Sequence, residues 1–363
     1  MKVCGIVAEY NPFHNGHAYH IAKTKEQLNI DIIIAVMSGN FVQRGEPAVI
    51  DKWQRAKCAV ENEIDIVVEL PYLYATQSAK QFATGATHLL NLAQVDYLSF
   101  GSESNDLARL LAIANDINPP TATKQESLIT AYNKQYGEHS PNDILGINYL
   151  RGIKDSGIKP ILIKRSNAYH QTTLSGEISS ASAIRKALEL DIDYSQATPM
   201  RLNNNHQLKN YWPLIRTTLL CSAPEELNKY LLMDEGIENL LISNAKNCID
   251  FNTFINKSTT KRYTTSRIKR TLLQMLMHIE KQQADQYELP NYLRLLAFNA
   301  KGADYLRYLQ DEGVEVISRF GSLPQDEMII TQRAAALYAY VNDDEEANAF
   351  ITIDERQPPI YVK

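Results

Sequence analysis

The sequence predicts an α/β fold: a doubly wound, mainly parallel sheet over residues 1–197, followed by a mainly α-helical part over residues 198–363. Three observations carry this. Up to about residue 190, short apolar runs alternate with helix-length segments, the signature of successive βαβ units. Past about residue 195, strand-like runs become rare and amphipathic helical stretches take over. A chain of 363 residues also exceeds a comfortable single core, so two domains are the natural division.

The elements follow in order. "KVCGIVAE" (2–9) is a short apolar run suited to a buried parallel strand, and "HAYHIAKTKEQL" (17–28) has helical spacing. "DIIIAVMSG" (31–39) is a second strand. "DKWQRAKCAVEN" (51–62) is a helix with Asp51 as its N-cap. "DIVVELP" (65–71) is a third strand, stopped by Pro71; "KQFATGATHLLNLA" (80–93) is helical; "DYLSFGSE" (96–103) is a fourth strand and "KPILIKR" (159–165) a fifth. "SSASAIRKALEL" (179–190) opens on serine caps and continues as a helix. The polar, asparagine-rich "TPMRLNNNHQLKN" (198–210) reads as the linker. Helical patterns follow in "YWPLIRTTLLCS", "PEELNKYLLM", "IENLLISNAKN" and "RIKRTLLQMLMHI", and late β-like pieces in "VEVISRF" and "AFITI".

Composition narrows the function classes. A net charge of -5 does not exclude a local basic face, so charge has to be read by segment. No stretch has the apolar length to cross a bilayer, and "MKVCGIVAEYN" lacks a signal-peptide pattern. The four cysteines are far apart, with no CxxC pair, which supports neither a zinc knuckle nor a disulfide frame. The expected setting is the cytoplasm, with reduced thiols.

"EYNPFHNGHAYH" (9–20) holds three of the eight histidines directly after the first strand. Ligands of doubly wound sheets bind beyond the carboxyl ends of strands, near the N-termini of the following helices. Such helix starts offer free N–H groups and a positive dipole end, which suits phosphate. Gly16 permits close approach, and His14 and His17, three apart, fall on one side of a helical turn. Two imidazoles there can donate to phosphate oxygens that gain charge during in-line attack. The pair could also be a metal half-site or surface residues beside a turn, and spacing alone favours the surface reading; its place after the first strand reverses that preference in favour of phosphate.

"FHNGH" matches the HxGH signature of the nucleotidyltransferase superfamily, and "ISSASAIR" (178–185) resembles its second, ISSxxIR-like signature with one extra residue before the arginine. Together with "VMSGNFVQRGEPAVIDKWQRAKCAVENEIDIVVELP", "FGSES", "SPNDILGINYL", "TTSRIKRTLLQMLM" and "YLRLLAFNAKG", they make the chain similar, near full length, to bacterial tRNA(Met) cytidine acetate ligases. The resemblance implies an HxGH, Rossmann-like nucleotidyltransferase domain that activates acetate with ATP as acetyl-adenylate. It then implies transfer of the acetyl group to N4 of the wobble cytidine of elongator tRNA(Met).

It also implies a set of site residues. The ATP loop would run through Val7, Ala8, Glu9, Tyr10, Asn11, Pro12 and Phe13, then His14, Asn15, Gly16, His17, Ala18, Tyr19 and His20. His14 and His17 would be catalytic, holding the α- and β-phosphates. Ser179, Ser180 and Arg185 would face the triphosphate. Gly101, Asn142 and Arg165 would complete the nucleotide contacts; on residue type alone these three read as a turn glycine, a helix cap and a solvated strand end. Tyr10 and Phe13 read either as pocket lining or as core. "SGNFVQRGEPA" (38–48) either turns the chain or closes over acetate or pyrophosphate with Asn40, Gln43 and Arg44. Magnesium is the expected counter-charge to ATP, although no metal-ligand cluster in the sequence demands it.

Residues 251–279 hold Lys257, Lys261, Arg262, Arg267, Lys269 and Arg270 and no Asp or Glu. Such an excess is the footprint of phosphate-backbone binding, and Tyr263 offers a ring for stacking on an unpaired base. The competing reading is a solvated helix start capped by Thr265 or Ser266; the resemblance favours RNA. Two rival functions remain open at this point. One is a small-molecule adenylyltransferase of the pantetheine-phosphate or nicotinamide-mononucleotide type, which the long basic helical half disfavours. The other is a non-catalytic RNA-binding protein, which the intact signatures disfavour.

Overall fold

The computed structural model describes residues 1–120, 128–165, 174 and 178–363. The strands are β1 (Val3–Ala8), β2 (Ile32–Ser38), β3 (Phe41–Val42), β4 (Glu46–Pro47), β5 (Ile66–Leu70), β6 (Tyr97–Ser102), β7 (Lys159–Lys164), β8 (Tyr292–Phe298), β9 (Glu315–Ile317) and β10 (Ile360–Tyr361). The main sheet runs β10-β8-β5-β2-β1-β6-β7, with β9 beside β8. Strands β5, β2, β1, β6 and β7 are mutually parallel. From β1 the chain builds outward through β2 and β5, then returns to lay β6 on the other side of β1. That reversal is the topological switch point where α/β sheets bind ligands.

Period-2 alternation covers both faces. Ile32, Ile34 and Val36 of β2 face one apolar layer, which includes Phe82, Leu89, Ile147 and Leu306 from flanking helices. Ile33, Ala35 and Met37 face the other, with Ile21 of helix α1 (Asn15–Leu28) and Trp53, Ala56 and Val60 of helix α2 (Lys52–Glu61). Asp51 caps α2 as the sequence predicts, its carboxylate accepting from the Trp53 and Gln54 N–H groups.

A third core belongs to the later half, where Ile215, Leu219, Leu241, Phe254, Leu272 and Tyr338 pack together. It reaches back to Phe41, Tyr72 and Leu73 of the first half. The chain crosses the 197/198 line in another way too: β8, β9 and β10 all lie in the main sheet, with β8 antiparallel to β5. The sequence concealed β8 because Arg294 interrupts "YLRLLAF". In the fold this arginine is buried and paired with Glu69 (3.0 Å) and Asp354 (3.1 Å), beside Lys52, which meets the same two carboxylates. Buried charge is tolerated when each ion has its partners. "AFITI", which reads as β-like, instead lies in the helix Asp344–Arg356, started by Asp343 accepting from the Glu346 N–H. "VEVISRF" does contain a strand, β9.

No helix of the described residues is long and apolar enough to cross a membrane.

Candidate nucleotide site

His14 occupies the N-cap of α1 in extended conformation. Its Nδ1 accepts from the Gly16 N–H (3.0 Å), while the His14 N–H donates to His17 Nδ1 (3.2 Å). The two rings stack with centroids 3.7 Å apart. The histidines thus play the parts that Ser/Thr and Glu play in an ordinary capping box, meeting orphan N–H groups of the first turn. A Cβ on residue 16 would stand 2.8 Å from Cε1 and 2.9 Å from Nδ1 of His14, so only glycine lets that ring fold down onto the helix start.

This arrangement fixes the protonation chemistry. With Nδ1 accepting from the backbone, each neutral imidazole carries its proton on Nε2 and can donate it to a ligand. Burial first, then the charges of Arg165 and Arg185, pushes His14 down to about 3. Burial, followed by His14, Arg165 and His20, holds His17 well below the ordinary histidine value. Burial and then Arg165 push His20 down to about 4. His20 Nε2 is hydrogen-bonded to Ser99 Oγ (2.8 Å), which also meets Thr24 Oγ1 (2.7 Å), so α1 is fastened to β6.

A cleft of about 590 Å³, counting its part open to solvent, lies over these groups. His14, Gly16, His17, Tyr19 and His20 line one side; Gly101, Arg165, Ser179 and Ser180 line the other. The two signatures, over 160 residues apart in sequence, therefore face a common space at the carboxyl ends of β1, β6 and β7. Ser180 caps the helix Ala181–Glu189, accepting from the Ala183 N–H (3.1 Å), so that helix also opens toward the cleft. Arg165 lies flat over Gly101, where a Cβ would stand 3.1 Å from its Cγ and Cδ.

Other predicted residues hold the site rather than line it. Tyr10 and Phe13, read as possible pocket lining, are buried behind His17, with ring centroids 4.9 and 5.5 Å from it. Asn11 accepts from the Val49 N–H (2.9 Å) through Oδ1 and from Arg185 Nη1 (2.7 Å) through its carbonyl, so Arg185 braces the histidine loop. Asn15 Nδ2 donates to the Gln196 carbonyl (2.8 Å). Val7 and Ala8 end β1, and Pro12 and Ala18 continue the backbone around the histidines. Asn142 sits in the first turn of the helix Pro141–Gly152 and donates to Glu103 (2.5 Å), which also pairs with Arg165 (3.4 Å).

The stretch 38–48 is a hairpin of β3 and β4 and serves as a joint. Asn40 is buried, accepts from the Lys52 N–H (2.9 Å) and lines a different, smaller cavity with Phe41 and Glu69. The Gln43 N–H donates to Glu9 (3.0 Å) and its side-chain amide to the Gln77 carbonyl (3.1 Å). Arg44 lies near Arg185 and Glu46. Gly45 at φ +77° presses on the helix Thr265–Leu276, where a Cβ would meet Arg270 N at 2.4 Å.

Sequence reasoning missed Arg55. It is fully buried, with no carboxylate partner among the described residues. It donates to the carbonyls of Glu9 (2.6 Å), Ser38 (3.0 Å), Gly39 (2.5 Å) and Ile50 (2.8 Å), tying the ends of β1 and β2 to the start of α2. The available signal was an arginine on the apolar stripe of α2, with Ala56, Ala59 and Val60.

The basic segment differs from expectation. Tyr263, read as a stacking ring, is buried, and its hydroxyl donates to the Glu235 carbonyl (3.5 Å). Arg262 pairs with Glu235, Arg267 with Asp234 (3.2 Å) and Lys269 with Glu46; Arg270 donates to the Gln43 carbonyl (3.1 Å). All three carboxylates come from outside residues 251–279, which is why the local excess of charge misled. Lys257 and Lys261 stand exposed without an ion-pair partner among the described residues. The helix cap is Thr264, not Thr265 or Ser266.

Residues 1–350 match the model of the HIGH Nucleotidyl Transferase family. The curated tRNA(Met) cytidine acetate ligase of Lysinibacillus sphaericus is 36% identical over 99% of this chain and 100% of its own. That of Limosilactobacillus reuteri is 36% identical over the whole of both. The chain belongs to the tRNA(Met) cytidine acetate ligase family of HIGH nucleotidyl transferases. Among solved structures, Thermotoga maritima TmcAL bound with alpha-thio ATP superposes with a TM-score of 0.87 at 29% identity, covering all of both chains. The apo form gives 0.88 at 28%. The mainly parallel α/β architecture and an ATP-dependent ligase function follow from this membership.

Proposed function

We propose that this chain forms acetyl-adenylate from ATP and acetate and transfers the acetyl group to N4 of the wobble cytidine of elongator tRNA(Met). The observation that carries it is the convergence of His14, His17, Ser179 and Ser180 on one cleft, in a chain matching the ligases end to end. The small-molecule adenylyltransferase reading is not favoured by that full-length match.

The chemistry is two displacements. An acetate oxygen attacks the α-phosphorus and pyrophosphate leaves with the P–O bonding pair. The cytidine amine then attacks the acetyl carbonyl carbon, loses a proton, and AMP leaves. No protein nucleophile is required; positioning and electrostatics do the work. The Nε2–H donors of His14 and His17 meet the α- and β-phosphate oxygens as charge develops. They are preorganised, because their Nδ1 atoms are already engaged by backbone. Ser179, Ser180 and the helix start behind them take the far phosphates, and Gly101 and Arg165 the nucleoside side. Asn40, Gln43 and Arg44 remain the acetate or pyrophosphate loop in this reading, with Arg44 close enough to Arg185 for their charges to interact. Among the described residues lining the cleft there is no carboxylate, and no described cluster of three or more metal-binding side chains exists. In this reading magnesium would arrive on the triphosphate rather than be held by the described residues of the cleft. tRNA approaches over Lys257 and Lys261.

The test is nucleoside mass analysis of tRNA(Met) after incubation with the protein, ATP and labelled acetate, against labelled acetyl-CoA. N4-acetylcytidine is expected only with ATP and acetate together. Label entering from acetyl-CoA without ATP, or none from acetate, ends this reading.

A further inference from the structure

Glu103, just past β6, sits at the rim of the nucleotide site and joins two elements. Its Oε1 accepts from Asn142 Nδ2 (2.5 Å) and pairs with Arg165 Nε (3.4 Å), while Oε2 accepts from Ser140 Oγ (2.5 Å). Ser140 is fully committed: the same Oγ caps the helix Pro141–Gly152 by accepting from the Asp143 N–H (3.1 Å). One carboxylate therefore sets the orientation of a side chain at the end of β7 and of another in the first turn of a helix. Arg165 in turn lies over Gly101, with Nη1 3.4 Å from where a Cβ would stand, and lines the cleft.

The loop does not depend on Glu103 for its shape. Asp143 is buried and fastens it from beneath, its oxygens accepting from Ser102 Oγ (2.5 Å) and the Ser104 N–H (3.3 Å). Ser102 Oγ also accepts from the Asn105 N–H (2.9 Å). The two carboxylates divide the labour: Asp143 holds the loop from beneath, and Glu103 holds Arg165, which lines the cleft, together with Asn142 and Ser140. An arginine free at the strand end would sample many rotamers, each lost on binding. A charge-assisted contact removes that freedom beforehand.

We propose that Glu103 is a positioning residue for the nucleotide, acting through Arg165 and Asn142. This rests on the reading of those two residues as nucleotide contacts. Acetate-dependent ATP–pyrophosphate exchange tests it. Glu103→Gln keeps an acceptor but removes the charge that orients Arg165. The expected result is an ATP KM raised about tenfold with kcat within about twofold and an unchanged melting temperature, the pattern of weakened ground-state binding. Glu103→Asp, which keeps the charge, should fall between it and wild type. In an Arg165→Met background, Glu103→Gln should add only the smaller part carried by Asn142, because the charged partner it positions is gone. A normal ATP KM in Glu103→Gln alongside a raised one in Arg165→Met would sink the Glu103 proposal alone. A normal KM in Arg165→Met would sink the contact reading beneath it. Full additivity of the two would show that Glu103 does not act through Arg165.

Discussion

The nucleotide cleft and the basic segment treat their polar side chains in opposite ways. In the cleft, His14 and His17 satisfy structural bonds with Nδ1 and keep Nε2–H for a ligand. In the basic segment, Arg262, Arg267 and Lys269 face carboxylates of their own chain. Both regions carry donors suited to phosphate, but the cleft fixes its donors in place, while most cations of the basic segment are spent on their own chain. A polar group serves a substrate when its structural bonds leave a donor over, and residue type alone does not report that.

The largest effect that separates the regions is expected at His17. His17→Ala removes a preorganised donor and should lower acetate-dependent exchange by about 10²–10³-fold in kcat. The fold should survive, since the helix keeps the His14 cap. Near-normal exchange by a folded His17→Ala protein would break the comparison at its stronger end.

Arg55 comes next, because it makes the cleft's rigidity depend on a residue outside it. Arg55→Met would leave the carbonyls of Glu9, Ser38, Gly39 and Ile50 buried without a donor. Each such group costs about 1–3 kcal/mol, so a loss of about 3 kcal/mol or more in urea unfolding is expected, with exchange activity falling too. Arg55→Lys should recover little, since one ammonium cannot span four carbonyls. A change below about 0.5 kcal/mol, the range of an ordinary surface substitution, would remove Arg55 from this role.

The same contrast explains what could be read in advance. The parallel strands and the histidine loop were legible because their signals are local: short apolar runs, a helix start after a strand, a glycine beside two imidazoles. The meeting of "FHNGH" with "ISSASAIR" was legible only through the order of the two signatures across the βα array. What escaped depends on partners far away in sequence. Arg294 hid β8 because Glu69 and Asp354, which neutralise it, lie over 50 residues off on either side. Tyr263 looked available because its burial comes from packing in a helical core that no single segment encodes. Arg55 looked like one more charged residue on a helix, because its four partners are backbone carbonyls without a sequence signature.

Acid should weaken the cleft before it touches the basic patch. His14 is neutral in the fold, with its value pushed down to about 3, against roughly 6.5 when unfolded. Above the unfolded value neither state gains a proton, so stability is fully present. As pH falls below about 6.5 the unfolded chain binds protons that the fold excludes, and stability drops progressively toward the folded value. Melting temperature should therefore fall from pH 7 to pH 5, and His14→Asn should flatten that slope, since asparagine also caps but does not titrate. An identical slope in wild type and His14→Asn would mean that His14 is not held neutral.

The smallest effect tests the weaker region. Lys257 and Lys261 are the exposed cations of the basic segment without ion-pair partners among the described residues, so they are the ones free to meet phosphate. Replacing both with glutamine should weaken tRNA binding a few-fold and make the plot of log affinity against log salt shallower by about 2, close to one unit for each phosphate no longer neutralised. Acetyl-adenylate formation should be untouched. Replacing Lys269 instead takes away the ion-pair partner of Glu46. That carboxyl is opposed by burial, but the Lys269 and Arg185 charges outweigh this and hold it below its ordinary range. Lys269→Gln should therefore disturb the hairpin and lower exchange without changing the salt slope. If Lys269→Gln shifts the slope and the Lys257/Lys261 pair does not, phosphate binding runs through the paired cations, and the distinction drawn between the two regions fails.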